Sequence, residues 1–146
     1  MSKFHVEVGE RARFTKTIGE TDVYLFAGIT GDFAPNHVDK SYMERSKFGR
    51  LQAHGALIVG FMSTAASMVT GRTRDESSQI ALSLGYDRVR FTAPVYFGDT
   101  ITVDYSISAI DAERRRATAD IKVTNQDGVL VGVATHILAW KDRQAQ

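Results

Sequence analysis

Apolar residues alternate along Ile101, Val103, Tyr105, Ile107 and Ala109, with Thr102, Asp104, Ser106 and Ser108 between them. A period of two predicts an antiparallel strand with one buried face. Ala117, Ala119, Ile121 and Val123 repeat the pattern. Asn125-Gln126-Asp127-Gly128 then supplies the residues of a tight turn, so the next strand should fold back as a hairpin. That segment, VLVGVATHILAW, is apolar at odd and even positions alike. It predicts a central strand covered on both sides. Upstream, Ile80, Leu82, Leu84 and Tyr86 alternate, and Val89 and Phe91 continue the pattern after Asp87.

The period changes before these strands. From about His54 to Val69, Leu57, Ile58, Phe61, Met62, Ala65, Met68 and Val69 fall on almost every side of a helix, with Gly71 as its stop. A helix apolar all round is predicted to be buried. Earlier still, ETDVYLFAGIT reads as a short helix with Thr21 as its cap, Val23, Phe26 and Ala27 on one face, and Gly31 at its end. Phe4, Val6 and Val8, and then Phe14, Lys16 and Ile18, allow one or two short strands at the beginning. Residues 31–53 form a long polar connection with no clear period, and long connections often carry function. DRQAQ reads as a frayed end. One buried helix followed by four antiparallel strands predicts an α+β domain over residues 1–146, with a curved sheet wrapped around the helix.

Composition narrows the function classes. Net charge is +1 over 146 residues, so there is no bulk electrostatic case for nucleic acid or a membrane surface. The absence of cysteine excludes disulfides, thiolate metal sites and a cysteine nucleophile. The longest apolar run, near 56–69, is broken by Gly60, Ser63, Thr64 and Ser67 and is too short to cross a bilayer. With no apolar leader in MSKFHVEVGE, the expected location is the cytoplasm.

The chemistry concentrates in TGDFAPNHVD, which places Asp32 and His37 five residues apart around Pro35. This stretch resembles the hydratase signature of the MaoC-like, (R)-specific enoyl-CoA hydratase family, Gly-Asp-x-Asn-Pro-x-His-x-Asp, followed by Ala-His-Gly at the start of a central helix. Gly31, Asp32, Pro35, His37 and Asp39 match it, as do Ala53, His54 and Gly55. VRFTAPVYFGDTITV, with Pro94, Gly98 and Asp99, is similar to the family's paired strands. Two positions depart: Ala34 stands where the family has Asn, with Asn36 two residues on, and Met43 replaces a small residue.

The resemblance implies the hot-dog fold, a symmetric dimer, and hydration of a 2-enoyl thioester on coenzyme A or acyl-carrier protein, with no further cofactor. Asp32 and His37 are then expected to hold and activate one water, imidazole being able to accept a proton near neutral pH. Gly55, in the first turn of the helix, is the candidate oxyanion donor, since helix N-termini leave N–H groups free. Several residues carry plainer expectations. His54 should order the helix start, His136 should be a satisfied core histidine, and His5 should be solvated. Neither CxxC nor HExxH spacing supports a metal at Asp32, His37 and His54. Arg45, Lys47 and Arg50, or Arg114-Arg115-Arg116, either meet the carrier's phosphates or only face solvent. Two other readings remain: a non-catalytic acyl-thioester binding module, and a thioesterase. The second is weakened by the lack of Asp or Glu from Gly55 to Thr70.

Overall fold

The computed structural model describes residues 5–71 and 78–144. Five antiparallel strands form one sheet in the order β1-β3-β4-β5-β2. They are β1 (Arg11–Thr17), β2 (Gln79–Phe91), β3 (Thr100–Asp111), β4 (Arg116–Thr124) and β5 (Leu130–Asp142). The strict alternation in β3 and β4 does what its period requires. Ile101, Val103, Tyr105 and Ile107 are buried, and so are Ala117, Ala119, Ile121 and Val123. Ala109 departs, because a register shift between Ile107 and Ala109 adds a residue and leaves it exposed.

The buried face lies against α4 (Gly55–Thr70), which rests mainly on β1 and β3. Ile58, Met62, Ala65, Ala66 and Val69 face the sheet and are buried. Each large apolar side chain among them contributes about 1.5–3 kcal/mol by leaving water. The helix is not buried all round: Ser63, Thr64, Ser67 and Met68 are exposed, since a five-stranded sheet curves around only one side of it. This is the hot-dog arrangement.

Two further strand expectations are corrected. β5 is interior as its pattern predicts, paired with β4 and β2, but it is not covered on both faces. Only one face of β5 is fully buried, and Val133, Thr135 and Ile137 on the other are half-exposed. In β2 the alternation breaks at a register shift between Ser83 and Gly85. One extra residue moves the following side chains to the opposite face, until a second shift between Asp87 and Arg90. Ile80, Leu82 and Leu84 therefore stay exposed, while Tyr86 turns inward opposite His136.

The segment before α4 holds more structure than its sequence promised. α1 (Glu20–Thr30) is followed by two single turns, α2 (Pro35–Val38) and α3 (Lys40–Glu44). The cap of α1 is Gly19, not Thr21: Asp22 Oδ2 accepts the Gly19 N–H at 2.8 Å, and Lys16 pairs with Asp22 at 3.1 Å. That N–H, above all, holds the Asp22 carboxyl below its usual range. Gly31 ends α1 in the left-handed region at φ 80°, its N–H donating to Ala27 O at 2.8 Å. At the other end of the chain, the expectation of a frayed end does not hold for its first residues: Asp142 belongs to β5 and binds Arg115 at 2.6 Å, and Arg143 N–H donates to Ser78 O at 2.8 Å. Phe4 and the final two residues lie outside the described residues. His5 is half-buried and engaged, not solvated.

Candidate active site

Pro35 organises the site locally. It holds Ala34 extended, at φ −57° and ψ 141°, and starts α2 at the first helical position, where its missing N–H costs nothing. The single turn is closed by His37 N–H to Ala34 O and Asp39 N–H to Pro35 O, both 2.9 Å. Asp39 then caps α3 by accepting the Tyr42 N–H at 2.9 Å. Asp32 stands before this turn and is exposed. Its Oδ1 accepts the Ala34 N–H at 3.2 Å. That bond uses the backbone alone, so it needs no side chain at position 34.

His37 is buried, 9% exposed. Its Nδ1 lies 2.7 Å from the carbonyl oxygen of Gln52. A carbonyl can only accept, so Nδ1 carries the proton and Nε2 is the bare nitrogen. Gln52 is fixed in turn by its N–H to Asn36 O at 2.9 Å. His54 is 2% exposed and stacks on His37, ring centroids 3.7 Å apart and 23° between planes. Phe26 of α1 covers His54 from another side at 4.7 Å. By the same reasoning, His54 Nε2–H donates to the backbone oxygen of Asp32 at 2.9 Å.

The fold thus brings Asp32, His37 and His54 together, with one carboxylate oxygen and one nitrogen from each ring within 4.8 Å of one another. A water bonded to two such groups at about 2.8 Å each spans a gap of this size. A metal ion does not fit the same donors. Ring lone pairs lie in the ring planes, and two nearly parallel planes 3.7 Å apart cannot both reach one ion at about 2.0–2.1 Å.

Gly55 follows His54 at the first position of α4, where the N–H has no helical partner. Its lack of a side chain also has a packing reason that the sequence did not reveal: a Cβ there would overlap the ring of Phe91 at the end of β2. The part played by His54 and the contact of Phe91 were both missed. The His54-Gly55 pair in the sequence hinted at the first, and nothing local signals the second.

Other candidates fall away. Ser83 Oγ and Tyr105 OH engage the two nitrogens of His136 at 2.8 and 2.9 Å, as expected of a core histidine. Arg114 pairs with Asp111 and Arg115 with Asp142 at the β3–β4 turn.

The MaoC-like domain family matches residues 3–130. The chain is 34% identical over 113 residues to an (R)-specific enoyl-CoA hydratase of Rhodospirillum rubrum, covering 77% of this chain and 74% of the relative. It is 29% identical over 130 residues to an (R)-specific enoyl-CoA hydratase of Aeromonas caviae, covering 89% and 92%. The fold superimposes on an R-hydratase from Pseudomonas aeruginosa with a TM-score of 0.79 at 29% identity, over 97% of this chain and 88% of that one. The motif, the sheet around a helix and these matches agree: the chain belongs to the MaoC-like domain family.

Proposed function

We propose that the protein is a hydro-lyase that adds water across a 2-enoyl thioester to give the (R)-3-hydroxyacyl thioester, or runs the reverse dehydration. The observation that carries this is the Asp32–His37 pair, a carboxylate oxygen and a ring nitrogen within 4.8 Å of one another beside the free end of α4. In hydration the water oxygen bonds to C3 as the C2–C3 π electrons move toward the thioester oxygen. His37 and Asp32 take the water's proton and return one to C2. The N–H of Gly55 stabilises the oxygen while it holds enolate charge. The chemistry calls for no group beyond the thioester carrier.

Exposed Arg45, Lys47 and Arg50 suit a phosphate-bearing carrier, either coenzyme A or the arm of acyl-carrier protein. A second copy is expected against β2, an edge strand with Ile80, Leu82 and Leu84 on its outer face. Among the described residues no helix is long and apolar enough to cross a membrane, and we place the protein in the cytoplasm.

The test is incubation of the purified protein with crotonyl-CoA, following loss of enoyl absorbance and the configuration of the product. Formation of (R)-3-hydroxybutyryl-CoA supports the proposal. Binding of acyl-CoA without turnover across chain lengths would replace it with the binding-module reading.

A further inference from the structure

His54 is placed unlike an ordinary helix cap. It occupies the N-cap of α4, at φ −63° and ψ 135°, where a side chain commonly accepts a helix N–H. His54 makes no such bond. Its Nε2–H reaches instead to the backbone oxygen of Asp32, 22 residues earlier, at 2.9 Å. The other nitrogen, Nδ1, is buried without a hydrogen-bond partner. A residue serving only to start the helix gains nothing from that arrangement, since leaving a buried acceptor unpaired is unfavourable.

The contacts point elsewhere. The ring lies against the face of His37 at 3.7 Å, backed by Phe26 at 4.7 Å. The backbone continues directly into Gly55. One side chain therefore touches the segment bearing the carboxylate and the imidazole, and its peptide precedes the candidate oxyanion donor. Asp32 needs such an anchor. It is exposed, on a connection outside any element, held locally by its N–H to Thr30 Oγ1 and, at the carboxylate, by the Ala34 N–H, both at 3.2 Å.

We propose that His54 is the positioning residue of this site: its hydrogen bond to Asp32 sets where the carboxylate stands relative to His37, and the packing of its ring on His37 is the lesser contribution. The inference rests on the reading of Asp32 and His37 given above. Positioning of this kind acts on the rate of the bound complex, because small displacements of reacting groups lower kcat steeply.

Two substitutions separate the contacts. His54→Phe keeps a ring against His37 and removes the donor to Asp32. His54→Gln keeps a donor near the position of Nε2 and removes the ring. With crotonyl-CoA, His54→Phe should lower kcat by tenfold or more, roughly, while KM changes less than about threefold. His54→Gln should recover most of that loss. Circular dichroism and Tm establish that each variant is folded. Wild-type kcat in a folded His54→Phe, or equal loss in both folded variants, would overturn the proposal.

Long-range proton–nitrogen NMR of the wild-type protein supplies a readout independent of turnover and of variant folding. The expected tautomers are Nε2–H for His54 and Nδ1–H for His37. The opposite tautomer at His54 contradicts the inference. If the wild type shows these tautomers but hydrates no enoyl thioester, the proposed reaction fails while the placement of His54 stands.

Discussion

Among the described residues two stacked ring pairs are built on histidine, and they face opposite chemical ends. His136 lies on Tyr86 at 4.4 Å and 13° inside the sheet, and His37 lies on His54 at 3.7 Å and 23° beside the start of α4. As packing they are alike. As proton carriers they differ. Both nitrogens of His136 are engaged, and burial pushes its pKa down to about 4. Burial, with a smaller contribution from Tyr86, pushes the Tyr105 phenol up, so it keeps its proton while hydrogen-bonded to His136 Nδ1. Neither nitrogen of His136 is free to exchange a proton with a substrate. At His37 a carbonyl holds Nδ1–H and leaves Nε2 bare, with the Asp32 carboxylate nearby. Burial and a ring contact do not make a catalytic histidine; an unengaged nitrogen beside a second polar group does.

Breaking the comparison at its functional end has the largest expected effect. His37→Ala and Asp32→Ala should each lower kcat for crotonyl-CoA hydration by about 10³-fold, within the range typical of general acid–base groups, with Tm close to wild type for the exposed Asp32 and lowered for the buried His37. His136→Leu should instead leave a folded variant measurable activity and lose stability, since the Tyr105 hydroxyl is then buried without its partner.

The next effect is on stability against pH. His136 titrates at about 4 when folded, against an unfolded value near 6.5. Between these values the unfolded chain binds a proton that the folded one refuses. Stability is therefore full above about pH 6.5 and falls as pH drops toward 4, by up to about 3 kcal/mol from this group. Denaturant unfolding of wild type and His136→Leu at pH 7 and pH 4.5 checks this. The variant should show the smaller loss on acidification.

The smallest effect sharpens the role of Gly55. Gly55→Ala forces the exposed Phe91 ring aside and should cost at most about 1 kcal/mol, less than overpacking a closed core. Adding Phe91→Ala should restore much of that stability. Activity should remain low if the first turn of α4 must also admit a thioester, and should recover if crowding by Phe91 is the whole effect.

Much of this architecture was legible because period and burial go together. β4, and β3 as far as the bulge after Ile107, could be read residue by residue, and α4 to within a residue at each end. The failures have physical causes. A one-residue bulge in β2 reversed the face of Tyr86, and period-two reasoning does not detect inserted residues. The turns α2 and α3 are too short to show a helical period. Asp32, His37 and Gly55 were found through their motif, whereas the Gln52 carbonyl that sets the His37 tautomer left no trace in residue type. His54 was read as ordering a helix start, because its bond to Asp32 spans 22 residues and no local pattern reports it.

The central claim is that Asp32 and His37 work on one water as a unit, and the rate of the double variant tests it most directly. If they share that water, Asp32→Ala/His37→Ala should hydrate crotonyl-CoA within a few-fold of the slower single variant, as groups acting together are not additive. A double variant slower by the product of the two single losses would contradict the account.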